Sequence, residues 1–274
     1  MQQISRMLHL QGKMIGFVPT MGYLHKGHTA LIYHSQKVSD VTVVSIFVNP
    51  IQFGPNEDFS KYPRDLKRDI NILEDMKVDY LFLPSRIEIY PDDFQTYVNV
   101  EKITQILEGK SRPSHFRGVT TIVSILFNII YPGIVIFGQK DAQQVFIIEK
   151  MVKDLKMPVK ILVKPIVREK DGLALSSRNV YLSEYERKDA LVLNNSLKKA
   201  KKLISDGERE VSIILSTMKR IINGAESAEI DYISVVDYST FLSVREIIKG
   251  KKYYILIACR IGKTRLIDNI LINA

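Results

Sequence analysis

Cysteine occurs once in these 274 residues, at Cys259, which rules out an intramolecular disulfide and any zinc site built on several thiolates. That scarcity points to a reducing compartment, and the cytoplasm is the expected location. The first residues lack the charged-then-apolar order of an export signal. Long apolar runs are absent in uninterrupted form. Gly118 to Gly138 carries no charge, yet Pro132-Gly133 splits it into a helix and a short strand, the pattern of a buried pair rather than of a membrane span. Neither the Walker phosphate loop nor the dinucleotide glycine fingerprint occurs, so a nucleotide has to be held some other way. No internal repeat or low-complexity linker is present.

What is there is apolar and basic. Apolar residues make up 46% of the chain, enough for one large or two ordinary domains with a substantial core. The formal charge of +9 is shared almost evenly between residues 1–171 and 172–274, so it favours anionic ligands in general without setting apart a basic tail. Apolar, β-branched runs at Met14–Val18, Val41–Val48, Tyr80–Leu83, Ile134–Phe137 and Val159–Val163 alternate with helix-like stretches near Gly27–Lys37, Arg64–Met76, Val119–Tyr131 and Asp141–Leu155. Strands apolar throughout are buried on both faces, which predicts an α/β fold with a doubly wound, mostly parallel sheet. Ligands of such sheets bind beyond the carboxyl ends of the strands. From about residue 172 the pattern changes to helices at Glu184–Ser205 and Val211–Asn223, then strands near Ile230–Val236, Tyr253–Cys259 and Arg265–Ile272, predicting a smaller α+β domain. Lys198, Lys199, Lys201 and Lys202 are expected to be the solvated face of a helix whose Leu193, Leu197, Ala200 and Ile204 face the core, not a nucleic-acid patch.

The most informative segment is the break of the first apolar run at Pro19-Thr20-Met21-Gly22, which leads into Tyr23-Leu24-His25-Lys26-Gly27-His28. The first N–H groups of a helix lack intrahelical partners and its dipole adds partial positive charge, so a polyphosphate suits that place. Two imidazoles there can donate to phosphate oxygens as charge develops. A metal pair is the rival use of His-x-x-His, although no third ligand stands nearby in the chain. Gly138-Gln139-Lys140-Asp141 and Leu175-Ser176-Ser177-Arg178 offer a cradle in which Lys140 and Arg178 hold β- and γ-phosphates. Each also reads as plain structure: a helix start with Asp141 near the cap, and a polar turn. In Phe47–Gly54, Asn49 and Gln52 lie beside Phe47 and Phe53, suited to orienting a small polar acid, or equally a turn punctuated by Asn-Pro and Gly. Glu57-Asp58 and Asp92-Asp93 read as solvated loop acids rather than cation ligands.

Taken in order, these blocks resemble the pantothenate synthetase (pantoate–β-alanine ligase) family. The resemblance rests on Pro19–His28, Phe47–Gly54, Asn56–Phe59 with Tyr62–Arg64, Leu107–Gly109, Arg112–Val119, Gly138–Gln144 and Arg168–Asn179. It implies a Rossmann-like nucleotidyltransferase fold on residues 1–171, with residues 172–274 as a mobile lid. The implied reaction activates pantoate as an acyl adenylate with ATP and Mg²⁺, then captures it with β-alanine. The resemblance assigns ATP to Met21, Gly22, Tyr23, Leu24, His25, Lys26, Gly27 and His28, to Gly138, Gln139, Lys140 and Asp141, to Val167, and to Leu175, Ser176, Ser177 and Arg178. Pantoate falls to Gln52 and Gln144, with Gln52 also near β-alanine. His28 becomes the proton donor, while His25, Lys140, Ser176, Ser177 and Arg178 stabilise the transferring phosphate. A homodimer is implied, and neither nucleic acid nor membrane is an expected partner. Three positions depart from the family: Ser114 where Gly is usual, Ser124 where Lys is usual, and Gly133 where Asp is usual. If that lysine helps bind pantoate, Ser124 lowers the affinity. The same apparatus would also serve another nucleotidyltransferase, and the basic charge alone would suit an RNA-binding domain, which predicts steeply salt-dependent RNA affinity.

Overall fold

Strand and helix alternate from the start of the chain: α1 (Gln2–Leu10), β1 (Ile15–Thr20), α2 (Lys26–Val38), β2 (Val41–Ile46), α3 (Leu66–Asp75), β3 (Tyr80–Phe82), α4 (Arg86–Ile89), α5 (Glu108–Ser111), α6 (His115–Ile130), β4 (Ile134–Gly138), α7 (Ala142–Asp154) and β5 (Lys160–Lys164). The computed structural model describes residues 1–55 and 57–274; Asn56, part of the block at 56–59, lies outside the described residues. The five strands form one sheet in the order β3-β2-β1-β4-β5, every pairing parallel, with Ile15 opposite Val41 and Phe17 opposite Val135.

Side chains alternate across each strand, so one apolar run feeds two cores. Ile15, Phe17, Val43, Val135 and Phe137 meet Val123, Leu126 and Phe127 of α6 and Ile148 and Met151 of α7. Val18, Val44, Ile46 and Ile136 meet Ile32 of α2 and Leu73 of α3 on the opposite face. Burying each such side chain stabilises the fold by roughly 1.5–3 kcal/mol. The chain leaves β1 towards β2 on one side and later returns to β4 on the other. The crevice at the carboxyl ends of β1 and β4 is therefore the switch point at which sheets of this kind bind ligands.

The chain divides into two compact units, one comprising Met1–Gln139 with Gln143–Pro165, the other Lys140–Ala142 with Ile166–Ala274. In the second, α8 (Glu184–Asp189), α9 (Leu191–Ser205) and α10 (Val211–Ile222) precede β6 (Ala228–Asp237), β7 (Lys252–Ile261) and β8 (Thr264–Asn273), an antiparallel sheet in sequence order. Leu193, Leu197, Ala200 and Ile204 are buried in its core, and the four lysines on the other side of α9 are exposed. The expected single helix at 184–205 is two. At Ala190 the backbone tightens towards 3₁₀ geometry (φ −57°, ψ −21°), and there the run divides. Cys259 lies in the same core, where burial pushes its thiol up to about 12.

Candidate functional site

In the N-terminal unit, β1 ends in a turn with two consecutive left-handed residues, Gly22 (φ +82°) and Tyr23 (φ +51°). Thr20 fastens its entry, the hydroxyl donating to the Ser45 carbonyl at 2.7 Å and accepting from the Gly22 N–H at 3.2 Å. The exit is held by Asp69 on α3, a buried carboxylate that accepts the N–H groups of Tyr23 at 2.6 Å and Leu24 at 2.7 Å. Arg68 donates to the Leu24 carbonyl at 2.8 Å and lies over the Tyr23 ring. Asp69 escaped the sequence reading. Its signal was an acid four residues before Leu73 on the buried face of an amphipathic helix.

His25 is the N-cap of α2, and its Nδ1 accepts the Gly27 N–H at 3.1 Å. Reciprocally, Nδ1 of His28 accepts the His25 N–H at 3.3 Å, which completes a capping box with imidazoles in the usual roles of serine and glutamate. The rings stack 4.0 Å apart. Backbone N–H groups can only donate, so each Nδ1 is unprotonated and each neutral ring carries its proton on Nε2. The turn thus presents two Nε2–H donors at a helix N-terminus beyond the carboxyl end of a sheet strand. Among the described residues no group of three or more His, Cys, Asp or Glu is placed to hold a metal ion.

The loop after β2 carries Gln52 in a short 3₁₀ turn, Pro50–Gln52, and its amide orientation is dictated by neighbours. The Gly118 carbonyl is an obligate acceptor and takes the Asn49 amide N–H at 3.1 Å, while Tyr90 donates to the Asn49 amide oxygen at 2.8 Å. Asn49 must therefore donate to Gln52 Oε1 at 3.0 Å, and Gln52 Nε2 turns to Met21 in the turn after β1, 3.1 Å from its sulfur. Gln52 is a buried amide presenting N–H donors, as an oxygen-rich acid requires. Gly118 admits this approach because any Cβ there would lie 2.4 Å from the Ile51 carbonyl oxygen.

His115 opens α6 behind that loop. Its Nδ1–H donates to the Gln52 carbonyl at 2.9 Å, and its Nε2 accepts from Arg112 at 3.2 Å. Burial, followed by the Arg112 charge, brings its pKa down to about 4. Arg112 in turn grips Glu57 with two hydrogen bonds of 2.7 and 2.6 Å. Glu57 is thus no solvated loop acid. Burial works against its carboxylate, but the Arg112 bonds and charge outweigh burial and hold it below the usual range. Gln143 serves structure, donating to the Ile103 and Ile106 carbonyls at 2.9 Å each and accepting the Glu108 N–H at 3.0 Å. Its neighbour Gln144 is half-buried on the first turn of α7. Gly138 ends β4, where a Cβ would meet Leu31 of α2 at 4.0 Å, and Gln139 opens the 3₁₀ turn Gln139–Asp141.

The other candidates belong to the C-terminal unit. Lys140 and Ser176 line one cleft with Leu173, Ala174, Asn179 and Asp268. The Lys140 carbonyl accepts from Asn269 of β8 at 2.9 Å, and its ammonium is 4.0 Å from the Asp141 carboxylate. Val167 and Leu175 pair across a tight turn, the Leu175 N–H donating to the Val167 carbonyl at 3.0 Å. Arg168 braces that turn with two hydrogen bonds to Asp268, at 2.6 and 2.9 Å. Ser176 caps the 3₁₀ segment Ser177–Tyr181 by accepting the Arg178 N–H at 3.3 Å, and Ser177 is buried.

The three departures fall in the N-terminal unit. Ser114 adopts φ +71°, a left-handed conformation that a glycine would take without steric cost. The hydroxyl of Ser124 lies 3.1 Å from Met151 Sδ, on the buried side of α6. Met14 lies over Gly133, its sulfur 2.1 Å from where a Cβ would stand, so aspartate there requires Met14 to move.

Comparison with known proteins sets these residues in a family. The model described as pantoate-beta-alanine ligase matches residues 1–271. The pantothenate synthetase of Caldicellulosiruptor bescii is 54% identical over 274 residues, covering 100% of this chain and 96% of that protein. The crystal structure of pantothenate synthetase from Thermus thermophilus aligns with a TM-score of 0.90 at 44% identity, over 93% of this chain and 92% of that one. A pantoate-beta-alanine ligase from Francisella tularensis, crystallised with β-γ ATP and β-alanine, aligns with a TM-score of 0.81 at 39% identity, over 98% and 94% of the two chains. Likeness of sequence from end to end, joined to likeness of fold, places this chain in the pantoate–β-alanine ligase family.

Proposed function

We infer that this chain condenses pantoate with β-alanine, using ATP and passing through pantoyl adenylate, to give pantothenate, AMP and pyrophosphate. A carboxylate oxygen of pantoate attacks the α-phosphorus of ATP and pyrophosphate leaves. The neutral amine of β-alanine then attacks the acyl carbon; AMP leaves with the bonding electron pair, and the amine proton is lost. Adenylation replaces a poor leaving group with a good one, and both nucleophiles come from substrates. The protein has only to position them and stabilise charge.

In this reading ATP lies against Met21–His28, Gly138–Asp141, Val167 and Leu175–Arg178. The Nε2–H groups of His25 and His28 donate to phosphate oxygens, with His28 as the proton donor. Lys140, Ser176, Ser177 and Arg178 stabilise the transferring phosphate. The donor-facing amide of Gln52 and the side chain of Gln144 hold pantoate, Gln52 also lying near β-alanine. Mg²⁺ would neutralise charge on the triphosphate, with phosphate and water oxygens as its ligands, a shell that needs no carboxylate cage. We further propose a cytoplasmic homodimer in which residues 172–274 act as a lid that keeps water from the adenylate.

The observation that carries this reading is the capping box of His25 and His28, which leaves both rings as Nε2–H donors at the switch point of the sheet. The test is an omission assay. ATP, Mg²⁺, pantoate and β-alanine together should release AMP, and omission of pantoate should abolish it. AMP release independent of pantoate would refute the assignment. His28→Ala should lower the rate by roughly 10²–10³, the effect of losing one transition-state donor; a rate within about threefold of wild type would remove His28 from the mechanism.

A further inference from the structure

The block Arg112–Val119 holds a buried histidine, His115, to which the reaction assigns no role. We propose that His115 is a positioning residue for the acid substrate, acting through the main chain of Gln52. The inference rests on the reading of Gln52 as a pantoate ligand.

The argument begins with hydrogen-bond polarity. A guanidinium can only donate and a backbone carbonyl can only accept. With Arg112 Nη1 at 3.2 Å from Nε2 and the Gln52 carbonyl at 2.9 Å from Nδ1, the ring is held as the Nδ1–H tautomer, opposite to that of His25 and His28. It bonds at both nitrogens and is buried, so it has a single orientation. The geometry is passed on: Glu57 fixes Arg112 by two bonds, Arg112 fixes the ring, and the ring fixes the Gln52 carbonyl. From the other side, Tyr90, Asn49 and Gly118 fix the Gln52 side-chain amide. The backbone and side chain of one residue are thus each locked by a separate chain of bonds. Glu57, Tyr90, Arg112 and His115 all bear on the site through Gln52 and Asn49. That is the arrangement expected where a substrate-binding amide must be preorganised to a fraction of an ångström.

Burial and the adjacent Arg112 charge keep the ring neutral, so it neither donates a proton in the reaction nor changes charge during turnover. The role is geometric and is separable from general acid–base chemistry. It predicts a selective defect: weaker capture of the acid, with adenylation chemistry and ATP binding untouched.

Two substitutions divide the ring between its nitrogens. Asparagine places an amide N–H near the Nδ1 position and retains the bond to Gln52; glutamine reaches the Nε2 position, keeps Arg112 company and loses the bond to Gln52. His115→Gln should raise KM for pantoate about tenfold while kcat and KM for ATP stay within about twofold, and His115→Asn should restore KM for pantoate to within about twofold of wild type. A purely structural role predicts something else: a fall in kcat for both variants with all KM values moving together. That result, or equal pantoate KM in the two variants, overturns the proposal.

Gln52→Ala separates this failure from failure of the underlying reading. Pantoate KM unchanged in Gln52→Ala would overturn the assignment of Gln52 to substrate, and the proposal with it. A raised KM in Gln52→Ala alone, with His115→Gln normal, would overturn only the positioning role. Should His115→Gln fail to fold, Glu57→Gln leaves the ring in place and loosens Arg112; a rise in pantoate KM of about threefold without change in KM for ATP is then expected, and no rise overturns the proposal.

Discussion

His115→Asn should remove an acid sensitivity that the wild-type chain carries. In the folded protein the imidazole is neutral with a pKa of about 4, against 6.5 for an ordinary histidine. Between those values the unfolded chain binds a proton that the folded chain does not. Stability from this group is therefore complete above the unfolded value and is lost as the pH falls towards the folded one. Integrating the difference in proton binding gives a loss of roughly 2–3 kcal/mol between about pH 7.5 and about pH 4.5, a large share of a stability of roughly 5–15 kcal/mol. Arg112 opposes protonation, while Glu57 and Glu108 favour it more weakly than burial resists it. Urea unfolding followed by circular dichroism at several pH values would read the effect as the wild-type minus variant difference, in which contributions from the other histidines cancel. The variant should be less stable than wild type at neutral pH and should fall less steeply on acidification. Parallel curves would refute the reasoning, since they would mean that the ring takes up its proton inside the fold as readily as in the unfolded chain.

Three other outcomes are expected. Asp69→Ala leaves the buried N–H groups of Tyr23 and Leu24 without their acceptor and should destabilise the protein by about 2–4 kcal/mol in urea unfolding; a loss below about 1 kcal/mol would show that the turn holds itself. Ser114→Gly relieves a left-handed backbone at the start of α6 and should stabilise by up to about 1 kcal/mol, visible as a rise in Tm, whereas a fall would show that the serine side chain contributes there. Cys259, buried with its thiol pushed up to about 12, should resist iodoacetamide at mildly alkaline pH in the native protein and react in urea; native-state alkylation seen by mass spectrometry would refute its burial.

The central strands β1, β2 and β4 were legible because they are buried on both faces and so are written as apolar runs, and the half-buried edge strands β3 and β5 still show as short apolar runs. The loops after Val18, Val48 and Phe137 stood out by following such runs. The support behind them was not legible, because its partners are distant in sequence. Asp69 grips a turn 45 residues earlier, and Arg112 reaches back 55 residues to Glu57. No local period encodes such a pair, and an acid beside a loop reads as solvated until its partner is seen. The junction at Ala190 was hidden for the opposite reason. Alanine is an excellent helix former, so nothing in the identity of this residue marks a junction between two helices.

The histidine capping box ties two properties that most proteins keep apart. One nitrogen of each ring secures the start of α2, and in the proposed mechanism the other is the donor at the reaction. Serine or aspartate at position 25 would secure the helix at least as well and would erase the donor. Retaining imidazole there is a compromise between robustness and turnover, and the first turn of α2 is where substitutions chosen for heat resistance should be paid for in lost catalytic rate.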